Sequence, residues 1–186
     1  MTADEKSKTF ETVVLSHMNA AYTLAYWLVW NKEDAHDLVQ EALLRAFKAF
    51  DKFQGNEGRA WLFTIVRNLF YNSIPKRSIN HTSYDDTSHG CWTPSANPEV
   101  LFFRQLETEL VRDAIRDLSP EFREVLILRE LEELSYKEIG VIIQAPIGTV
   151  MSRLARAREQ LRRSLLNEYQ LSRAQQSAVG GFVSRQ

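Results

Sequence analysis

Apolar side chains recur along this chain at helical spacing, and almost no stretch carries the two-residue period of a strand. From Phe10 to about Trp30 the pattern predicts one helix. Thr12, Ser16, Asn19 and Thr23 form a single polar stripe on it, while Val13, Val14, Leu24 and Leu28 lie off that stripe. No formally charged side chain occurs from Thr12 to Asn31, long enough to raise a membrane span, but the polar stripe fits a packed amphipathic helix instead. Asn31 then reads as an N-cap, with Asp34 three residues on. The second helix runs to about Phe50, with Leu38, Ala42, Ala46 and Phe50 along one face. Gln54 to Gly58 is a turn. A third helix from about Arg59 to Ser73 carries Leu62, Ile65 and Leu69 inward, and Pro75 ends it.

From Lys76 to Pro98 the periodicity fades into Ser, Thr, Asn, Asp, Gly and Pro, the composition of a flexible linker. Helical spacing returns at Phe103, Leu106, Leu110 and Ala114. Ser119-Pro120 reads as an N-cap followed by proline at the first helical position, and Ser135 to Glu138 as a capping box. The tail, rich in Gln, Ser and Gly, reads as frayed. The fold class expected is therefore all-α: two small helical domains joined by a flexible linker. The boundaries are residues 5–75, a linker over 76–98, a second domain over 99–167 and a tail over 168–186.

Charge adds little until it is mapped. The chain holds 23 Lys+Arg against 24 Asp+Glu, which excludes a simple polycation that coats nucleic acid through bulk charge. Its distribution is uneven: residues 100–146 hold 6 basic and 10 acidic side chains, and residues 147–186 hold 7 and 2. The single cysteine, Cys91, allows no intramolecular disulfide, and the mixed-charge start MTADEKSKTF lacks the layout of a signal peptide. A cytoplasmic protein is expected.

The densest information lies in SYKEIGVIIQAPIGTVMSRLARAREQLRR, Ser135 to Arg163. A short capped helix places Ile139 and Ile143 on one face, Gln144-Ala145-Pro146 breaks it, and a second helix from about Ile147 carries Val150, Leu154 and Leu161 inward. That is a helix-turn-helix. Arg153, Arg156, Arg158, Arg162 and Arg163 lie on its second helix, and an arginine fork grips phosphate or a guanine edge with two parallel hydrogen bonds. Thr149 and Ser152 fall in its first turns, where side chains and free backbone N–H groups meet phosphate. If Gln144 has positive φ, it costs about 1 kcal/mol relative to glycine.

These residues carry a family resemblance. L-S-Y-x-E-I followed by P-I-G-T-V-x-S-R-L-x-R-A-R resembles the DNA-reading domain of the extracytoplasmic-function sigma factors, the small two-domain bacterial initiation factors. Asp34 to Ala42, D-A-H-D-L-V-Q-E-A, and Ala60 to Asn68, A-W-L-F-T-I-V-R-N, resemble two helices of the family's first domain. The resemblance covers about Phe10 to Leu166 apart from the linker.

The resemblance implies that the first domain binds the promoter's −10 element, the second binds the −35 element, and core RNA polymerase supplies all catalysis. Partners implied are the polymerase β′ clamp helices and β flap, promoter DNA, and an anti-sigma factor. It assigns polymerase contact to Asp37, Gln40, Glu41 and Arg45. It assigns −10 contact to Arg59, Arg67, Asn68, Phe70, Tyr71, Asn72, Lys76 and Arg77, with Asn56 lining a flipped-base pocket. Those types suit the task, because an unstacked base needs an aromatic platform or polar pocket and its backbone needs cations. Trp61 fits a core position better than a platform. Contact with the −35 element falls to Thr149, Ser152, Arg153, Arg156 and Arg158. Met151 and Ala155 depart from the cationic and aromatic residues that some relatives carry there.

Trp27 and Trp30 continue the first helix's polar stripe. Large aromatics on a polar face suit a protein contact, with an anti-sigma factor or polymerase, or packing against the linker or second domain. His81, Asp85, Asp86, His89 and Cys91 are metal-binding types, but their spacing fits no standard site. No metal, cofactor or small-molecule substrate is expected, and no catalytic constellation emerges: no P-loop, no G-x-S-x-G, no H-E-x-x-H. Two other classes compete, a one-component helix-turn-helix regulator and a sigma mimic that sequesters an anti-sigma factor. The D-L-V-Q-E helix speaks against the first and the arginine-rich helix against the second.

Overall fold

The computed structural model describes residues 3–53, 55, 57–73 and 109–180, with Ala3 and residues 171–180 as backbone only. Among them every regular element is helical. The first module comprises α1 (Ala3–Val13), α2 (Met18–Val29), α3 (Lys32–Ala49) and α4 (Gly58–Ser73), with 3₁₀ turns at Leu15–His17 and Phe50–Lys52. The second comprises α5 (residues 109–116), α6 (Pro120–Glu130), α7 (Tyr136–Ile143) and α8 (Ile147–Gly180). The linker, with its His/Asp/Cys cluster, lies outside the described residues, as do Asn56, Lys76 and Arg77.

The first helix expected from the pattern is two helices. Gly58 approaches the Val13 carbonyl so closely that a Cβ there would sit 2.0 Å from its oxygen. In the break that follows, the His17 N–H bonds the Val14 carbonyl in a 3₁₀ turn rather than the Val13 carbonyl. The polar stripe survives the break: the Thr12, Ser16 and Thr23 hydroxyls donate to the carbonyls four residues earlier. Asn31 caps α3 as expected, its side chain accepting from the Asp34 N–H at 3.0 Å. Leu24, Leu28, Val39, Ala42, Leu62, Phe63 and Val66 close the core of this module.

The second module packs Ile139, Ile142 and Ile143 of α7 and Val150, Leu154 and Ala157 of α8 against Val125 and Leu128 of α6. Pro120 opens α6, but the Ser119 side chain makes no cap bond. Ser135 builds the full capping box with Glu138. Gln144 ends α7 at φ 53°, ψ 47°, the left-handed conformation that glycine adopts more readily. Part of the tail expected over residues 168–186 is helical. Helix α8 continues to Gly180, because residues 171–178 carry neither proline nor glycine to stop it.

The two modules are docked. Helix α6 lies on α2, and α7 lies on α4. Every residue from Arg123 to Leu128 is buried, the pattern of a helix enclosed on all sides rather than one with a wet face.

Candidate nucleic-acid interface

The helix-turn-helix is set by three local devices: the capping box at Ser135, the left-handed Gln144, and Pro146 just before α8. Buried Val150 and Leu154 fix the rotation of α8. Thr149, Ser152, Arg153 and Arg156 then share one face. Ser152 and Arg156 are exposed, and Arg153 is half-buried with its guanidinium 3.5 Å from the Glu121 carboxylate. Arg158 does not join them. Nine positions beyond Thr149, it lies about 180° round the helix, and its fork holds Glu130 at 2.6 and 3.1 Å. Arg162 and Arg163 both engage Glu159. Arg156 is exposed and carries no such pairing, so the face that gathers the expected −35 residues narrows to Thr149, Ser152, Arg153 and Arg156.

On α3, Asp37, Gln40, Glu41 and Arg45 are all exposed on one face, with Arg45 bonded to Glu41 at 2.6 Å. Leu44, 55% exposed, stands among them. Sequence reasoning missed it, although a large aliphatic inside an otherwise polar stripe was there to be read.

The α4 set is differently placed. Phe70 is buried, which removes it as a stacking platform in this conformation, and Asn72 is exposed. Trp61 is half-buried and stacks on Phe53 with centroids 4.6 Å apart, at the rim of the core. Arg59, Arg67 and Tyr71 face the second module. Arg59 pairs with the Glu132 carboxylate and donates to the Glu132 carbonyl at 2.8 Å. Arg67 Nε lies 2.7 Å from Glu124 Oε1, misaligned for a hydrogen bond. Its guanidinium sits over the Tyr71 ring at 4.7 Å, and its Nη1 reaches Asn68 at 3.5 Å. The Tyr71 hydroxyl donates to Glu124 Oε2 at 3.2 Å. Glu124 is fully buried, and burial pushes its pKa up to about 7 against the opposing pull of the Arg67 charge. Burial, with the Glu124 charge behind it, also raises Tyr71.

Arg123 is the hinge pin of this interface. It donates to the Ile115, Arg116 and Leu118 carbonyls within its own module and to the Trp27 and Leu28 carbonyls at the C-terminus of α2. A cation at a helix C-terminus meets orphan carbonyls and the negative end of the dipole. Burial lowers Arg123 to about 10, which leaves it a cation near neutrality. Trp30, at φ 58°, sits with Arg116 4.8 Å and Arg123 5.3 Å from its ring, and Trp27 meets it edge-on at 5.0 Å. Within the described residues the second domain packs against Trp30 through Arg116 and Arg123. Sequence reasoning missed Arg123, Glu124 and Glu132. The available signal was an Arg-Glu pair set inside the apolar run F-R-E-V-L-I-L.

A docked pair of helical modules, one ending in an arginine-bearing helix-turn-helix and the other presenting a polar helix face, defines a DNA-binding factor built to work with a protein partner. The chain matches the family models for sigma-70 region 2 over residues 13–79 and sigma-70 region 4 over residues 108–161. It is 33% identical to the extracytoplasmic-function sigma-E factor of Escherichia coli over 161 residues, covering 82% of this chain and 84% of that one. It is 34% identical to the sigma factor SigE of Mycolicibacterium smegmatis over 155 residues, 83% of this chain, and spans 60% of that longer protein. Among solved structures it resembles the sigma factor RpoE of Bartonella quintana, determined with the anti-sigma factor NepR. The TM-score is 0.68 at 31% identity, covering 85% of this chain and 97% of that one. The chain belongs to the extracytoplasmic-function sigma factors. Among the described residues no helix is long and apolar enough to cross a membrane, and no cluster of His, Cys, Asp or Glu is arranged to hold a metal.

Proposed function

We propose that this protein binds core RNA polymerase, recognises the −10 and −35 elements of a promoter, and promotes melting of the −10 region. The observation that carries this is the shared α8 face of Thr149, Ser152, Arg153 and Arg156, with Ser152 and Arg156 exposed, in the same chain as the exposed α3 face of Asp37, Gln40, Glu41 and Arg45. The first module, residues 5–75, takes polymerase and the −10 element; the second, residues 99–167, takes the −35 element. The protein contributes no catalytic step, since polymerase holds the chemistry, and it acts in the cytoplasm, where core polymerase and promoter are found. An anti-sigma factor restrains it, in line with the NepR complex of its relative. Two weak DNA-binding modules gain avidity once polymerase fixes both on one promoter.

Pull-down with purified core polymerase and run-off transcription test the reading together. Arg153→Ala with Arg156→Ala is expected to abolish −35-dependent transcription while core binding persists. Intact transcription from the cognate promoter in that variant would remove the assignment of α8.

A further inference from the structure

We propose that the second module is an internal competitor for the strand-binding face of α4, its Glu124 and Glu132 carboxylates holding Arg67, Tyr71 and Arg59 until α6 parts from α2 and α4. This rests on the reading that α4 grips the −10 strand. A carboxylate offers an arginine fork the same paired anionic oxygens as a phosphate edge. Glu132 on Arg59 and Glu124 on Arg67 and Tyr71 therefore occupy the donors that a nucleic-acid strand needs. The free chain cannot offer them to both at once.

The docked state is held, but imperfectly. Arg123 clips the second module to the end of α2, and Trp30 is flanked by Arg116 and Arg123. Yet the same interface buries Trp30 Nε1 and Arg59 Nε without hydrogen bonds, and Arg67 Nε meets Glu124 Oε1 at 2.7 Å off hydrogen-bond geometry. Unsatisfied buried groups regain water on separation. That makes the interface a latch rather than a permanent core.

The test compares the full-length wild type with Glu132→Gln, Trp30→Gly and a control, Glu133→Gln. The control makes the same charge change at the exposed neighbour of Glu132. Small-angle scattering reads opening, and fluorescence anisotropy reads affinity for a labelled single-stranded DNA of mixed sequence at fixed salt. Glu132→Gln and Trp30→Gly are expected to enlarge the radius of gyration and to bind about tenfold tighter, the gain if the open form is about one tenth of the free wild type. Glu133→Gln should change neither. Circular dichroism checks helix content, and if Trp30→Gly unfolds, Glu132→Gln carries the test alone. A wild type already extended, or variants that open without binding tighter, would overturn the latch. Run-off transcription with saturating core polymerase checks α4 separately. Equal initiation by wild type and Arg67→Ala would remove the reading of α4, and the proposal with it.

Discussion

Glu124 makes the docked chain sensitive to pH in a direction opposite to most paired carboxylates. Its carboxyl is fully buried between α6 and α4, facing Arg67 and Tyr71 from α4 and feeling Arg153 from α8. Burial is the largest influence and raises the pKa from 4.5 to about 7, more than the Arg67 charge restores. The docked state thus binds a proton that the exposed group has already released between those two values. A group of this kind stabilises the docked fold fully below pH 4.5, and that contribution is lost as pH rises through 7. The whole span is about 3 kcal/mol, and most of it falls between pH 5 and pH 8. Glu124→Gln is the reference, since the amide keeps the shape and stays neutral. Urea unfolding of both proteins across that range isolates the group, because other carboxylates titrate equally in each. Glu138, for example, is held below its usual range by its bond to Ser135 and pulls the other way. The stability of Glu124→Gln relative to wild type is expected to rise by about 2–3 kcal/mol from pH 5 to pH 8. A flat difference, or one that falls, would refute the reasoning.

Three further perturbations follow from the geometry. Arg156→Ala should weaken −35-dependent run-off transcription severely, while Arg158→Ala, whose fork is already spent on Glu130, should leave it within about twofold, the scale of an exposed ion pair. Equal losses would show that the two arginines share a face after all. Gln144→Gly should raise stability to urea by about 0.5–1 kcal/mol, because φ of 53° costs a side chain what glycine avoids. Gly58→Ala should lower stability by about 2–3 kcal/mol, since its Cβ would meet the Val13 carbonyl at 2.0 Å and backbone must move; an unchanged unfolding midpoint would mean that the α1–α4 approach is loose.

The helices were legible where local chemistry decides them. Asn31, Ser135 and Pro146 punctuate the chain through contacts within a few residues, so their consequences can be read without the fold. The break at Val14 could not be read that way, because it answers to Gly58, more than forty positions on. The arginines of α8 show the same limit from the other side. Their types announced nucleic acid and helical spacing already sets Arg158 opposite Thr149, but only the fold shows that Glu130, 28 positions earlier, takes the Arg158 fork. Tertiary partners assign a charged side chain between reading DNA and holding the fold, and composition is blind to that choice.

The same distinction alters the meaning of the chain's near neutrality. The acidic excess over residues 100–146 first looks like ballast against the basic stretch that follows. Its buried members point elsewhere. Glu124 and Glu132 face α4 of the first module, where Arg59 and Arg67 wait for anionic oxygen. A carboxylate placed there lowers the net field that α4 presents to phosphate and blocks the donors themselves, and both effects end together when the modules part. In the proposed latch, this restraint adds to the weak intrinsic affinity of each module. Competition within the chain supplies the restraint, and separation removes it.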